Sequence, residues 1–154
     1  MSQKIPRILM VCLGNICRSP MAEGILKHKA QKLGIKVVVD SAGTSDNHEG
    51  EGPHFRAIAE MQLHGIDISY QRSRPFTVKD FDLFDHILVM DKSNRVDVLN
   101  LARNENDRQK VELILNYCEP QQNRSVPDPY YDHTYSRVFD LVNKACDEFL
   151  LTLN

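Results

Sequence analysis

Hydrophobic and polar positions follow two rhythms along this chain. Four short apolar runs read as buried strands: Ile8-Leu9-Met10-Val11, Lys36-Val37-Val38-Val39, His86-Ile87-Leu88-Val89-Met90 and Val111-Glu112-Leu113-Ile114-Leu115. The β-branched residues of the second run strengthen its assignment. Between the runs, apolar residues recur at helical spacing. Ala22, Leu26, Ala30 and Leu33 form one stripe, which Gly34 stops. Ala57, Ile58 and Met61 mark a second helix ending at Gly65, and Asp91-Lys92-Ser93-Asn94 leads into a third carrying Val98 and Leu101. A last helix runs from about Tyr135 to Leu151, with Val138, Val142, Ala145 and Phe149 on one face.

Strands alternating with helices favour a parallel sheet covered on both sides, because each crossover lays a helix on a face. Both faces of every strand are then buried, which accounts for continuous apolar runs in place of strict alternation. The expected fold class is α/β, a three-layer α/β/α arrangement of flavodoxin-like or Rossmann-like type, formed by residues 1–154 as a single domain. Ligands in such sheets bind beyond the carboxyl ends of the strands. The first place to look for chemistry is therefore just after Val11.

Composition narrows the possibilities. Of 154 residues, 42% are hydrophobic and 26% charged, which excludes a mostly disordered chain. The formal net charge of −2 argues against a general nucleic-acid binder. No apolar run approaches the length of a bilayer span, and the start from Met1 to Arg7 lacks a secretory pattern, so a cytoplasmic protein is expected. Cys12, Cys17, Cys118 and Cys146 fit that compartment as thiols. They include no Cys-x2-Cys pair, and the six histidines form no ligand grouping, so neither a metal nor another cofactor is expected. The histidines read as surface or satisfied polar residues. Arg72 and Arg74 read as a solvated basic face, with support of a site from behind as the alternative.

The segment after the first strand runs Cys12-Leu13-Gly14-Asn15-Ile16-Cys17-Arg18-Ser19-Pro20. Ser19-Pro20 is a strong helix start, with Ser suited to the N-cap and Pro to the first helical position. Residues 12–18 then form a loop at a helix N-terminus, where inward-facing N–H groups and the helix dipole attract an anion. Gly14 relieves steric limits, and Asn15 tolerates a left-handed backbone. Arg18 adds a planar fork that matches two phosphate oxygens. Cys12 stands at the mouth of this cradle. The field that attracts phosphate should depress its pKa, and a thiolate facing a phosphoryl group is an in-line nucleophile. Ser19 would hydrogen-bond the sulfur and ease its departure. Gly-Lys-Ser/Thr is absent, so the loop is not a nucleotide P-loop.

This run, continued through Met21-Ala22-Glu23-Gly24, resembles the signature of the low-molecular-weight protein tyrosine phosphatases. The resemblance extends through Asp40-Ser41-Ala42-Gly43-Thr44, Met90-Asp91-Lys92-Ser93-Asn94 and Asp128-Pro129-Tyr130-Tyr131, over nearly the whole chain and in order. It implies a four-stranded parallel sheet, no metal and a phosphocysteine intermediate. It further implies Cys12 as nucleophile, Arg18 as phosphate clamp, Asn15 and Ser19 as stabilisers of loop and thiolate, and Asp128 as general acid. Leu13, Gly14, Asn15, Ile16, Cys17, Arg18 and Ser19 would make up the phosphate-binding loop.

Asp128 also makes chemical sense alone. Phosphoester cleavage needs a proton for the leaving oxygen and later a base for water. Pro127 and Pro129 bracket Asp128 and would aim its carboxylate. Tyr130 and Tyr131 would wall the entrance against an aryl group. Cys17, close to the nucleophile in sequence, is a candidate partner for a reversible disulfide with oxidised Cys12.

Two positions depart from the family's commoner pattern. Asn47 stands where many relatives carry an aromatic residue, which makes one wall of the cleft polar. Gln71 stands where many carry a histidine that supports the phosphate loop. The expected substrate is a phosphotyrosine-containing protein or aryl phosphate, with inhibition by phosphate or vanadate and no nucleic-acid or membrane partner. Hydrolysis of phosphoarginine is the main alternative. An arsenate reductase would need relay cysteines, yet none lies between Cys17 and Cys118. A phosphate-binding module without catalysis is the remaining rival.

Overall fold

A computed structural model describes residues 4–153. Met1–Gln3 and Asn154 fall outside them, so the reading of the chain's start rests partly on residues that are not described. Four strands, β1 (Arg7–Cys12), β2 (Val38–Gly43), β3 (His86–Val89) and β4 (Val111–Leu113), form one sheet in the order β2-β1-β3-β4. Every pairing is parallel. The helices are α1 (Arg18–Leu33), α2 (Phe55–Leu63), α3 (Asp80–Leu83), α4 (Lys92–Leu99), α5 (Glu105–Gln109) and α6 (Tyr135–Leu151). The expected α/β class and parallel sheet are what the chain adopts.

Side chains on a strand alternate between faces, and β1 shows where each goes. Ile8, Met10 and Cys12 join the apolar cluster that includes Leu26 of α1, Met61 of α2 and Phe149 of α6. Leu9 and Val11 join the opposite cluster with Phe81 of α3 and Val98 of α4. This phase carries the Cys12 side chain to the layer of α1. β3 repeats the pattern, with Leu88 on the first face and Ile87 and Val89 on the second.

Several boundaries differ from expectation: β3 ends at Val89, α4 ends at Leu99 and leaves out Leu101, and three more bear on the site. The second strand begins later and runs on to Gly43, because its register pairs Arg7 with Val38 and Cys12 with Gly43. At the sheet edge its polar positions find partners, Asp40 with Arg74 and Ser41 with Glu23. The fourth strand stops at Leu113 and tightens into a 3-10 turn over Ile114–Tyr117. Helix α1 begins before Ser19: Cys17 holds the cap position, without a side-chain cap bond. Ser19 is withheld from capping because its hydroxyl serves Cys12 and Asn15. The end of α1 is as expected, with Gly34 at φ 70°, a left-handed conformation that glycine adopts without steric cost. Among the described residues no helix is long and apolar enough to cross a membrane.

Phe149 anchors α6 to the sheet. It is fully buried, and its ring lies 5.1 Å from those of His86 and Tyr117, at near-perpendicular angles. Phe149→Ala should destabilise the fold by about 3–5 kcal/mol. In urea denaturation this would appear as a lower midpoint with an unchanged slope.

Candidate active site

Residues 12–18 curl between the end of β1 and the start of α1, and their carbonyls are held from outside. Thr44 N–H donates to the Cys12 carbonyl (2.9 Å), Ser45 N–H to Leu13 (2.9 Å) and His54 N–H to Ile16 (2.8 Å). The Ser73 hydroxyl donates to the Gly14 carbonyl (3.0 Å), and Met21 N–H to that of Cys17 (3.2 Å). A peptide whose carbonyl is held outward turns its N–H to the other side. These tethers therefore aim the amides toward the loop's interior, where the Asn15 amide donates to Cys12 Sγ at 3.3 Å. Asn15 takes φ 55°, the left-handed conformation expected of it. Gly43 permits the close packing around the loop: a Cβ there would lie 2.8 Å from the Leu13 carbonyl oxygen.

Beneath the loop, a hydrogen-bond chain fixes proton directions one link at a time. The Arg74 amide donates to Asn15 Oδ1 (3.0 Å), which sets the orientation of that side-chain amide. Asn15 Nδ2 then donates to Ser19 Oγ (2.7 Å) and Ser41 Oγ (2.9 Å). Ser41, having accepted, donates to the Glu23 carboxylate at 2.8 Å. Ser19, having accepted, keeps one proton to give, and Cys12 Sγ at 3.0 Å is nearer to it than the Ala42 carbonyl at 3.5 Å. Lys27 closes the far end on Glu23 at 2.6 Å. Burial pushes the Glu23 carboxyl up, while Lys27 and Ser41 partly offset it.

Arg18 is 3% exposed and lines the cleft beside Cys12. Its Nη1 donates to Asp91 Oδ2 (2.6 Å) and to the Val126 carbonyl (3.0 Å). The other oxygen of Asp91 caps α4 through the Asn94 amide (2.7 Å), so one carboxylate sets both a helix start and the guanidinium plane. Burial opposes the charge on Arg18, but Cys12, Asp91 and Asp128 offset it and raise the pKa above the ordinary arginine value.

Asp128 Oδ2 stands 3.6 Å from Arg18 Nη2 on the cleft rim, with its side chain 38% exposed. Its Oδ1 accepts from the Tyr130 amide (3.0 Å). Asp128 thus shapes a turn and also faces the site. The cleft holds about 230 Å³ and is lined by Cys12, Leu13, Gly14, Ile16, Cys17, Arg18, Ser45, Asn47, His48, Asp128, Tyr130 and Tyr131. Asn15 and Ser19 lie behind it, buried. The rings of Tyr130 and Tyr131 meet edge to face at 5.1 Å, and Tyr131 is 86% exposed.

Several participants went unread or only partly read in the sequence. His48 shares the wall with Asn47, with its Nδ1 2.9 Å from Glu51 Oε2. Arg74 is no solvated face: it pairs with Asp40 and Asp80 at 3.0 Å each while its amide orients Asn15. Gln71 donates to the Pro20 carbonyl (3.0 Å) in the first turn of α1. Direct support of Asn15 therefore comes from the Arg74 backbone. The resemblance points to position 71, and support from behind is the alternative reading of Arg74; for His48, a lone polar residue, the sequence gave no signal.

The match to known proteins covers the same ground. Residues 7–154 match the family model described as low molecular weight phosphotyrosine protein phosphatase. The human protein of that name is 39% identical over 154 residues, covering 96% of each chain. The crystal structure of YfkJ from Bacillus subtilis superposes with a TM-score of 0.93 at 34% identity, covering 99% of this chain and 97% of that one. A Drosophila arginine phosphatase superposes with a TM-score of 0.88 at 30% identity, covering 96% and 97%. By these matches the chain belongs to the low molecular weight protein tyrosine phosphatase family.

Proposed function

We propose that the chain hydrolyses phosphotyrosine in proteins and related aryl phosphates, with Cys12 as nucleophile, Arg18 as phosphate clamp and Asp128 as general acid and base. The observation that carries this reading is the convergence of Ser19 Oγ, the Asn15 amide and Arg18 on the Cys12 side of one cleft, with Asp128 on its rim. The sulfur attacks phosphorus while the bond to the leaving oxygen breaks and Asp128 delivers a proton to that oxygen. Arg18 and the inward amides hold the equatorial oxygens as charge develops on them. Water then attacks phosphorus, Asp128 takes its proton, and the Ser19 hydroxyl donates to the departing sulfur. Phosphate and vanadate would compete for the same amides and guanidinium. The exposed Tyr131 and its neighbour Tyr130 supply an aromatic wall for the leaving ring.

Asn47 on the opposite wall favours a second reading, phosphoarginine, which the Drosophila relative's name also carries. Turnover of phosphotyrosyl against phosphoarginyl peptides separates the two. Preference for the arginyl peptide would replace the first reading with the second.

Cys17 also lines the cleft, and we propose it as the partner that closes a disulfide once peroxide has converted Cys12 to its sulfenic acid, releasing water. Peroxide inactivation should reverse with dithiothreitol in the parent and far less completely in Cys17→Ser. Equal recovery in both would remove the role.

Cys12→Ser should abolish turnover of p-nitrophenyl phosphate, and acid quenching of the parent during turnover should trap phosphate on sulfur. Asp128→Ala should lose about 10²–10⁴-fold in kcat with poor leaving groups and much less with good ones; equal losses would count against an acid role. Ser41→Ala leaves an Asn15 N–H and a Glu23 oxygen unpartnered in a buried place. It should cost about 1–3 kcal/mol of stability, measured by urea denaturation, and slow alkylation of Cys12 by iodoacetate.

A further inference from the structure

Between the phosphate loop and the acid loop lies a second chain of polar contacts that the reaction, as derived, leaves unused. His54 sits at the N-cap of α2. Its backbone N–H holds the Ile16 carbonyl (2.8 Å), and its Nδ1 accepts from the Arg56 amide at 3.1 Å. The Tyr135 hydroxyl, at the start of α6 just beyond the acid loop, lies 3.3 Å from the same Nδ1. The hydroxyl's other neighbour is Cys17 Sγ, at 3.4 Å.

Proton directions follow. A ring nitrogen that accepts from a backbone amide carries no proton, so Tyr135 must be the donor to His54. Tyr135 has one proton and has given it to His54, so the Cys17 thiol donates to the Tyr135 oxygen. The order Cys17 to Tyr135 to His54 requires a neutral imidazole. The ring also stacks on Tyr135 (5.8 Å between centroids) and meets Tyr130 of the acid loop edge-on (5.7 Å).

We propose that His54 is a positioning residue for the phosphatase reaction: its neutral ring, through the Tyr135 hydroxyl, locks the hinge of the acid loop to the phosphate loop. The inference rests on the phosphatase reading above.

Protonation at Nδ1 undoes the arrangement. The Arg56 amide loses its acceptor, Tyr135 must accept where it donated, and its proton turns to the Cys17 sulfur. The surroundings resist this. The groups facing His54 are Arg56 on its own helix, His133 and Tyr130 from the acid loop, and Tyr135 from α6, with Cys17 behind the hydroxyl. Burial, Arg56 and His133 all lower the His54 pKa. Burial pushes the Cys17 thiol up to about 12, against the smaller, lowering effect of the Tyr135 hydroxyl. The sign is that of a depressed group: the lock is intact above the ordinary histidine range and is lost as pH falls through the lower, folded value.

The test compares parent, His54→Ala, His54→Asn and Tyr135→Phe. Asparagine is a good N-cap and presents an acceptor at the same branch point, but it does not titrate. In His54→Ala, kcat for phenyl phosphate should fall about tenfold, a partial loss of acid catalysis, with KM little changed and p-nitrophenyl phosphate affected less. His54→Asn should restore the rate and remove one ionisation from the acid limb of the pH profile. Tyr135→Phe should behave as His54→Ala does. Protection of the amides of residues 128–135 from hydrogen exchange, read by mass spectrometry and referred to the intrinsic rate at each pH, should fall in His54→Ala and Tyr135→Phe, and in the parent at low pH, but not in His54→Asn. If the parent turns over no phosphoester, the phosphatase reading fails, and the exchange data still judge the lock. Unchanged exchange and kinetics in His54→Ala, or an acid limb identical in His54→Asn and parent, would overturn the proposal.

Discussion

The site depends on where a few carbonyl groups go. A loop that concentrates amide N–H groups on one anion must send its carbonyls elsewhere, and no carbonyl buried there can go unbonded at low cost. Here Thr44, Ser45, His54 and Ser73, from three separate stretches of chain, draw them away, together with Met21 from within α1. Each donor is itself anchored by the fold. Thr44 and Ser45 follow β2, His54 opens α2, and Ser73 precedes the Arg74 that is tied to Asp40 and Asp80. The shape of the loop is thus set by several separate parts of the fold, although its residues are contiguous.

The same logic explains the buried polar chain below Cys12. Asn15, Ser19, Ser41 and Glu23 are all buried, an arrangement that is stable only when every donor finds an acceptor. Satisfying them has a chemical result. With the Asn15 amide fixed by Arg74, the Ser19 proton is directed to sulfur. One set of bonds meets a packing requirement and, on the proposed mechanism, a catalytic one.

Much of this was legible in the chain before folding. The apolar runs gave the strands because both faces of the sheet are covered, and the cysteine loop gave its own chemistry because its residues are consecutive. Legibility ended where neighbours in space are distant in sequence. Support of the site by Arg74 stood only as the alternative to a solvated face, because nothing local revealed Asp40 and Asp80. His48 and His54 read as ordinary polar residues because their partners lie on other segments. Ser19 read both as a cap and as a partner of the sulfur; the cap passed to Cys17, and the contact with Cys12 formed. The second strand's extension through Asp40 and Ser41 was hidden because partners for polar groups at a sheet edge do not show in a hydropathy pattern.

The phase of β1 carries a consequence for how such a chain can vary. Ile8, Met10 and Cys12 share a face only because the strand repeats every two residues. Exchanging one buried aliphatic residue for another leaves that parity intact. Inserting or deleting a single residue between Arg7 and Val11 would reverse it, turning the sulfur toward the layer of α3 and α4 and away from Arg18. Length in this six-residue strand is therefore under tighter constraint than identity, and drift in its composition is the tolerated kind of change.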